Sequence, residues 1–166
     1  MYTKAIVIYH TRFGNTEKIA KSLEIGLQEA KDIQTTVCKN VKDVNPSSLK
    51  EFDIICIGGP TEGFTASKPI RDFLRKLNGI DLSKKYGFAF DTKLDSRLSG
   101  SAAKFIEKEL ANHGFQIIAS RESAIVSTIK ERGAIVGARL KEGEDKRFEQ
   151  IGLRIRTIIR TELNSC

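Results

Sequence analysis

One short stretch constrains this chain more than any other: an apolar run, Ala5 to Tyr9, turns through residues 11–16 directly into a helical pattern. Apolar runs of this kind are typical of buried strands, whereas residues 18–23 place apolar side chains at helical spacing. The first amides of a helix have no intrahelical acceptor and carry partial positive charge. Backbone amides together with Thr11, Asn15 and Thr16 would therefore suit a phosphate group. An ordinary N-capped helix fits the same residues, and spacing alone leaves both interpretations open.

The whole chain alternates strands and helices. Further strands are predicted at 33–38, 53–59, 86–90 and 115–126 (the last interrupted near Arg121), and helices at about 15–30, 68–77, 101–113 and around 148–159. Residues 133–143 are predicted to be a glycine-punctuated connection. Five strands alternating with helices favour an α/β fold, a three-layer α/β/α sandwich whose parallel sheet is covered on both faces. We expect a single domain over residues 1–166, with ligands bound beyond the carboxyl ends of the strands.

Two further loops are predicted at that edge of the sheet. The loop at 58–65 combines glycines with Pro60, Thr61, Glu62 and one aromatic residue, Phe64. An aromatic face can stack on a flat heterocycle, although a phenylalanine tucked onto the core fits equally. The loop at 91–97 begins with Asp91 and Thr92, where the edge of a heterocycle would be read. Residues 99–101 then start a helix, either as a second ligand contact or as an ordinary cap.

The charge of the chain bears on its partners. The net charge is +7, and residues 67–104 carry nine cationic against four anionic side chains, whereas residues 1–66 balance. A solvated surface explains such a surplus, and so does a face that attracts an acidic partner. Nucleic acid is not expected, because no recognised binding motif accompanies the charge.

The cysteines and the hydropathy bear on location. Cys38, Cys56 and Cys166 have no metal or redox spacing, and free thiols fit a reducing cytoplasm. No apolar run reaches the roughly 18–20 residues of a membrane span. We therefore expect a cytoplasmic protein.

Several rival chemistries lack their residues. A phosphorelay receiver needs acidic side chains after the first strand, where Tyr9 and His10 stand. Neither a Gly-x-x-x-x-Gly-Lys loop nor a Gly-x-Gly-x-x-Gly turn occurs, which removes support for nucleoside triphosphate and dinucleotide binding. The first loop holds no cysteine nucleophile. The two histidines, His10 and His113, are far apart and do not suggest a metal site; we interpret His10 as a strand-end residue and His113 as a helix cap.

At this point the residues resemble a known family. The pattern Thr11-x-x-Gly14-Asn15-Thr16 after the first strand is similar to the phosphate-binding loop of the flavodoxins, and the Gly-Pro-Thr loop after the third strand matches too. The resemblance implies a strand order of 2-1-3-4-5 and FMN as cofactor. It also implies that 11–16 hold the phosphate, that 59–64 pack along the isoalloxazine and that 91–97 contact its far side. The implied cofactor-binding residues are Thr11, Arg12, Phe13, Gly14, Asn15, Thr16, Pro60, Thr61, Glu62, Gly63, Phe64, Asp91, Thr92, Lys93 and Arg97.

Two features depart from the family pattern. Residues 91–101 contain no aromatic side chain, where many flavodoxins have a tyrosine, and the isoelectric point of about 9.4 is basic. Lys68, Lys93 and Arg97 flank the two ring-side loops and would stabilise negative charge on a reduced flavin.

We therefore expect an electron-transfer protein that uses FMN and a redox partner protein of acidic character. It would have no catalytic residue of its own, because the chemistry belongs to the cofactor. Two alternatives remain: an FMN-dependent oxidoreductase of the quinone reductase or protoporphyrinogen oxidase type, and an interaction module that has lost the cofactor.

Overall fold

The computed structural model describes residues 3–29 and 33–164. The strands are β1 (Thr3–Tyr9), β2 (Ile33–Asn40), β3 (Ile54–Glu62), β4 (Thr65–Ala66), β5 (Tyr86–Leu94), β6 (Gln116–Ile117), β7 (Glu122–Glu131) and β8 (Ala134–Leu140). The helices are α1 (Asn15–Gln28), α2 (Lys68–Arg75), α3 (Ala102–Asn112) and α4 (Glu144–Asn164), with short 3-10 helices at Val41–Asp43 and Pro46–Glu51. Two predicted positions, Ala30 at the end of the first helix and Cys166, lie outside the described residues.

The main sheet confirms the predicted order. Its five principal strands are parallel and run β2-β1-β3-β5-β7, which is the order 2-1-3-4-5 when only these strands are numbered. The predicted interruption near Arg121 is also present, since β6 and β7 both pair with β5 and are separated by residues 118–121. Two strands were not predicted: β4 pairs antiparallel with β3, and β8 pairs antiparallel with β7.

Both faces of the sheet are covered because its central strands are apolar on both faces. Alternation along β1 sends Ala5 and Val7 to one face, where they join the core formed with α1 and α4. Ile6 and Ile8 point to the other face and join the core formed with α2 and α3. The result is the predicted three-layer α/β/α sandwich.

The strands extend further than their apolar runs. Pro60 to Glu62 and Asp91 to Leu94 were predicted as loops, but they continue β3 and β5, and Gly59 and Pro60 pair with Asp91 and Thr92. The side chains become polar at these positions, although Asp91 and Thr92 stay buried, whereas the backbone ladder continues because it depends on main-chain hydrogen bonds. The prediction of a connection at 133–143 was wrong for the same reason, since most of it is strand β8.

None of the helices within residues 3–29 and 33–164 has the length and the apolar character needed to cross a bilayer.

Candidate functional site

The first loop leaves the start of α1 without a side-chain cap. Its N-cap residue is Gly14, at φ 82°, and within residues 3–29 and 33–164 no side-chain cap accepts a hydrogen bond from the first turn. Lys18 donates its amide to the Gly14 carbonyl at 3.2 Å and is the first residue to follow the helical pattern. The amides of residues 15–17 therefore have no intrahelical acceptor, and the helix dipole adds to their partial positive charge. The side-chain cap that Asn15 or a threonine would supply in an ordinary helix start is not seen among the described residues.

The conformation of this loop is fixed by its own residues. The amide of Gly14 donates to the Thr11 hydroxyl at 2.9 Å. A left-handed φ is costly for residues with a Cβ atom, which explains the glycine. A Cβ atom on Gly14 would meet nothing within 4 Å, so the space above the loop is open to a ligand.

The polar side chains at the start of α1 turn inward. Asn15 and Thr16 are buried; the Asn15 side-chain amide donates to the Ala138 carbonyl at 2.8 Å, and the hydroxyls of Thr16 and Thr92 lie 2.8 Å apart. In such a pair one hydroxyl donates to the other, and the accepting one keeps its own hydrogen for a further partner. The main-chain amides of residues 15–17 are further donors beside these side chains.

Two adjoining cavities occupy the carboxyl edge of the sheet. The first, of 180 Å³, brings the first loop together with Pro60, Glu62 and the hairpin formed by β7 and β8. The second, of 370 Å³, lies between the 63–64 turn and residues 96–99. Thr61 and Leu94 line both cavities. Their sizes together fall within the range of roughly 300–1,000 Å³ typical of cofactor sites. Eleven of the predicted residues line the two cavities: Thr11, Arg12, Phe13, Asn15, Thr16, Pro60, Thr61, Glu62, Gly63, Phe64 and Thr92.

The four other predicted residues lie around the cavities instead of lining them. Gly14 provides the turn described above. Lys93 donates from Nζ to the carbonyl of Gly100 at 3.3 Å, and Arg97 is exposed on the loop that follows β5. Lys68, noted for its charge, forms an ion pair with Asp72 within α2. Asp91 is fully buried.

Asp91 joins the second loop to the start of α3. Its Oδ2 atom accepts hydrogen bonds from the hydroxyls of Thr61 (3.1 Å) and Ser101 (2.9 Å) and from the amide of Ala103 (2.9 Å). Ser101 in turn accepts from the amide of Lys104, and the Thr61 hydroxyl accepts from the amide of Ala102. The first turn of α3 is thus fully capped, in contrast to that of α1. Of the two interpretations of residues 99–101, the structure shows ordinary capping.

The second loop is a tight hairpin between β3 and β4. Its central residues, Gly63 and Phe64, both have positive φ, 54° and 70°, as a two-residue turn of this kind requires. The Phe64 side chain is 71% exposed, so it is not tucked onto the core and is accessible beside the second cavity. Positive φ is costly for a bulky residue. Gly100 helps to hold the turn: a Cβ atom there would lie 2.5 Å from the Phe64 backbone.

Sequence reasoning missed several residues that line the cavities, most of them apolar. Leu98, 81% exposed in the third loop, lines the second cavity together with Leu94. An apolar residue in a polar, serine-rich loop is the signal that would have identified Leu98. Val126, Thr128, Ile135 and Ala138 line the first cavity from the β7–β8 hairpin. No local pattern identifies these four, because their position depends on a hairpin that was not predicted.

His10 is placed at a strand end, as interpreted from the sequence. Its Nδ1 atom lies 2.9 Å from the Ser67 hydroxyl, and the residue is not among those that line the two cavities. Burial lowers the pKa of His10, and the negative charge of Glu62 opposes this shift.

Comparisons with known proteins give the family by sequence and the fold by structure. The flavodoxin family model matches residues 7–151. A flavodoxin of Clostridium saccharobutylicum is 28% identical over 89 residues, which are 54% of this chain and 55% of that protein; the match therefore spans about half the length of this curated relative. Among solved structures, a flavodoxin from the domain Archaea is 21% identical, with a TM-score of 0.74 over 95% of this chain and 99% of that chain. The rubredoxin:oxygen oxidoreductase of Desulfovibrio gigas is 17% identical, with a TM-score of 0.74 over 96% of this chain and 37% of that one.

Proposed function

We propose that this chain, which belongs to the flavodoxin family, holds FMN in the two adjoining cavities and passes electrons to a redox partner protein. Members of this family bind FMN and transfer electrons to partner proteins. The match of the family model confirms the resemblance that was predicted from the motif at residues 11–16. What remains a proposal is the placement of the cofactor on these residues and the identity of the partner.

The observation that carries the proposal is the uncapped start of α1 at one end of the cavities. The free amides of residues 15–17 would donate to the phosphate, with the Thr11 hydroxyl keeping Gly14 in its left-handed conformation. Hydrogen bonds to a charged acceptor in this position are favoured by the helix dipole. The Thr16 and Thr92 hydroxyls lie beside the same cavity and would contact the ribityl chain or the phosphate.

The second cavity suits the ring system. Phe64 and Leu98 are exposed on opposite loops and would contribute one apolar wall each. Bound FMN supplies reversible electron transfer, and the protein supplies its position and its electrostatic surroundings. Because residues 91–101 contain no aromatic side chain, this site would leave the ring edge open toward a partner.

Replacing Thr11 and Thr16 together with alanine is expected to raise the Kd for FMN about a hundredfold. Thr16 would lose a hydrogen bond to the ribityl-phosphate arm, worth roughly 1.5–3 kcal/mol with a charged acceptor, and Thr11 would lose the bond that holds Gly14, worth roughly 0.5–1.5 kcal/mol. Titration of flavin fluorescence against the apoprotein measures the effect. Riboflavin, which lacks the phosphate, is the control ligand: we expect it to bind the wild-type protein more weakly than FMN and to respond less to the substitutions. If the wild-type protein binds no FMN, the proposed function is wrong.

A second prediction concerns the charge beside the ring. Replacing Lys93 and Arg97 with glutamine should lower the reduction potential of the bound flavin, because the two cations stabilise the more negative reduced form. A tenfold change in the equilibrium corresponds to about 59 mV for one electron, and we expect a shift of that order. The control is Lys84→Gln with Lys108→Gln, which removes the same charge from positions outside the three loops at the carboxyl edge, since Lys84 precedes β5 and Lys108 lies within α3. Equal shifts in both double variants in a redox titration would refute a local electrostatic role.

A further inference from the structure

The β7–β8 hairpin extends past the parallel sheet at the edge where the cavities lie. Pairing of β7 with β5 ends at Val126 and Leu94, whereas pairing of β7 with β8 continues to Glu131 and Ala134. Its tip is a tight turn at Arg132 and Gly133, which have φ of 48° and 84°. Residues 127–139, which are most of the hairpin, therefore lie beyond the last pairing with β5.

One face of this hairpin looks into the first cavity. Residues opposite each other in an antiparallel pair share a face, as do alternate residues along a strand. The pairs Val126–Leu140, Thr128–Ala138 and Lys130–Ile135 thus lie on one side. We call these residues the inner face. Val126, Thr128, Ile135 and Ala138 line the cavity, in agreement with the register.

An irregularity in β8 brings Ile135 onto the inner face. The register shifts between Ile129 and Lys130, whose partners are Gly137 and Ile135, so Val136 has no partner in the ladder. Ile135 and Ala138 are three positions apart and would point to opposite faces of a regular strand. An extra residue of this kind re-aims the side chains that follow it. The bulge therefore puts an isoleucine on the cavity side.

The hairpin is tied to two of the loops around the cavities. The Asn15 side chain of the first loop donates to the Ala138 carbonyl at 2.8 Å. Lys141, just after β8, forms an ion pair with Asp95 in the third loop. The inner face is apolar apart from the Thr128 hydroxyl and the Lys130 cation. This chemistry suits a ligand that presents carbon, hydroxyl groups and negative charge.

We propose that the inner face of the β7–β8 hairpin covers the ribityl-phosphate arm of FMN, with Ile135 as its main contact residue. The inference rests on the proposed function, because the same cavity is bordered by the residues assigned to the phosphate. Val126 and Ile135 shield the carbon chain from water, and Thr128 offers a hydroxyl to those of the ribityl group. Lys130 adds positive charge near the mouth of the cavity.

The test compares two isoleucines on opposite faces of the same hairpin. Ile135 on the inner face is 58% exposed, and Ile129 on the outer face, beside Gly137, is 43% exposed. Ile135→Ala should raise both the Kd and the dissociation rate of FMN about fivefold, the order expected when an aliphatic contact with a ligand is lost. Ile129→Ala should change neither quantity by more than about twofold, because Ile129 is not among the residues that line the first cavity. Fluorescence titration and stopped-flow displacement of FMN measure both quantities, and thermal melting of the apoproteins reports whether each variant folds.

The outcomes separate the two proposals. If both variants weaken FMN equally, or neither does, while the wild-type protein binds FMN, then the covering role of the hairpin is wrong and the proposed function stands. If the wild-type protein does not bind FMN, both proposals fail. Should Ile135→Ala not fold, Ile135→Val, which removes a single methyl group, is expected to show the same direction with a smaller change, and an unchanged dissociation rate in that variant would overturn the inference.

Discussion

Replacing Gly26 with alanine is expected to lower the free energy of unfolding by about 3 kcal/mol, near the upper end of what overpacking in a core costs. At this position α1 crosses α4 with their backbones in contact. A Cβ atom on Gly26 would lie 2.0 Å from the carbonyl oxygen of Glu149 and 3.0 Å from the Cα atom of Gly152. The alanine gains about 1 kcal/mol in helix propensity, but neither backbone can yield without moving a whole helix. Gly152→Ala should act in the same direction, because its Cβ atom would lie 2.5 Å from the carbonyl of Leu23.

The measurement is thermal or denaturant unfolding of the apoprotein. For a domain of this size each kcal/mol shifts the Tm by roughly 2–4 °C, so a fall of about 6–12 °C is expected. Gly137→Ala is the matched control, since a Cβ atom there meets nothing closer than 3.7 Å. We expect that substitution to change the Tm little. Equal stability of Gly26→Ala and Gly137→Ala would show that the helices can separate freely, contrary to the packing described.

The sequence predicted the parallel core well because that core is encoded locally. Apolar runs such as Ala5 to Tyr9 and Ile54 to Ile57 are continuous where helices cover both faces of the sheet. The stripe of Phe148, Ile151, Ile155 and Ile159 in the last helix is likewise buried as its period predicts. The residues of the first loop, which were predicted to form a phosphate site, line the first cavity, except for Gly14, which forms the turn of that loop.

What the sequence did not predict depends on contacts distant along the chain. Gly26 and Gly152 lie where the first helix crosses the last. From the sequence alone, each glycine would only be expected to destabilise its own helix. Strand β8 lacks a clear alternation of apolar and polar residues, because it has a bulge at Val136 and because most of its residues are exposed. Asp91 is polar and follows an apolar run, so it resembles a ligand-contacting loop residue. Only the position of α3 shows that its carboxylate accepts hydrogen bonds from that helix.

Replacing Asp91 with alanine is expected to lower the free energy of unfolding by roughly 4 kcal/mol, since hydrogen bonds to a charged acceptor are worth roughly 1.5–3 kcal/mol each. Three donors, the hydroxyls of Thr61 and Ser101 and the amide of Ala103, lose their common acceptor. The hydroxyls can turn to other partners, whereas the amide at the start of α3 cannot. The loss should therefore be smaller than the sum of three separate bonds. Denaturant unfolding of the apoprotein measures it.

Asparagine at the same position separates the acceptor from the charge. Its carbonyl oxygen can replace Oδ2 and keep all three donors, while its amide group would occupy the place of Oδ1, which is buried without a hydrogen-bond partner among the described residues. An unsatisfied buried amide costs roughly 1–3 kcal/mol, so Asp91→Asn should lie between the wild-type protein and Asp91→Ala. Because Thr61 lines both cavities, releasing its hydroxyl should also weaken FMN, more in the alanine variant than in the asparagine one. If Asp91→Asn proves less stable than Asp91→Ala, the carboxylate is not acting as the cap of α3, and the link between that helix and the second loop must lie elsewhere.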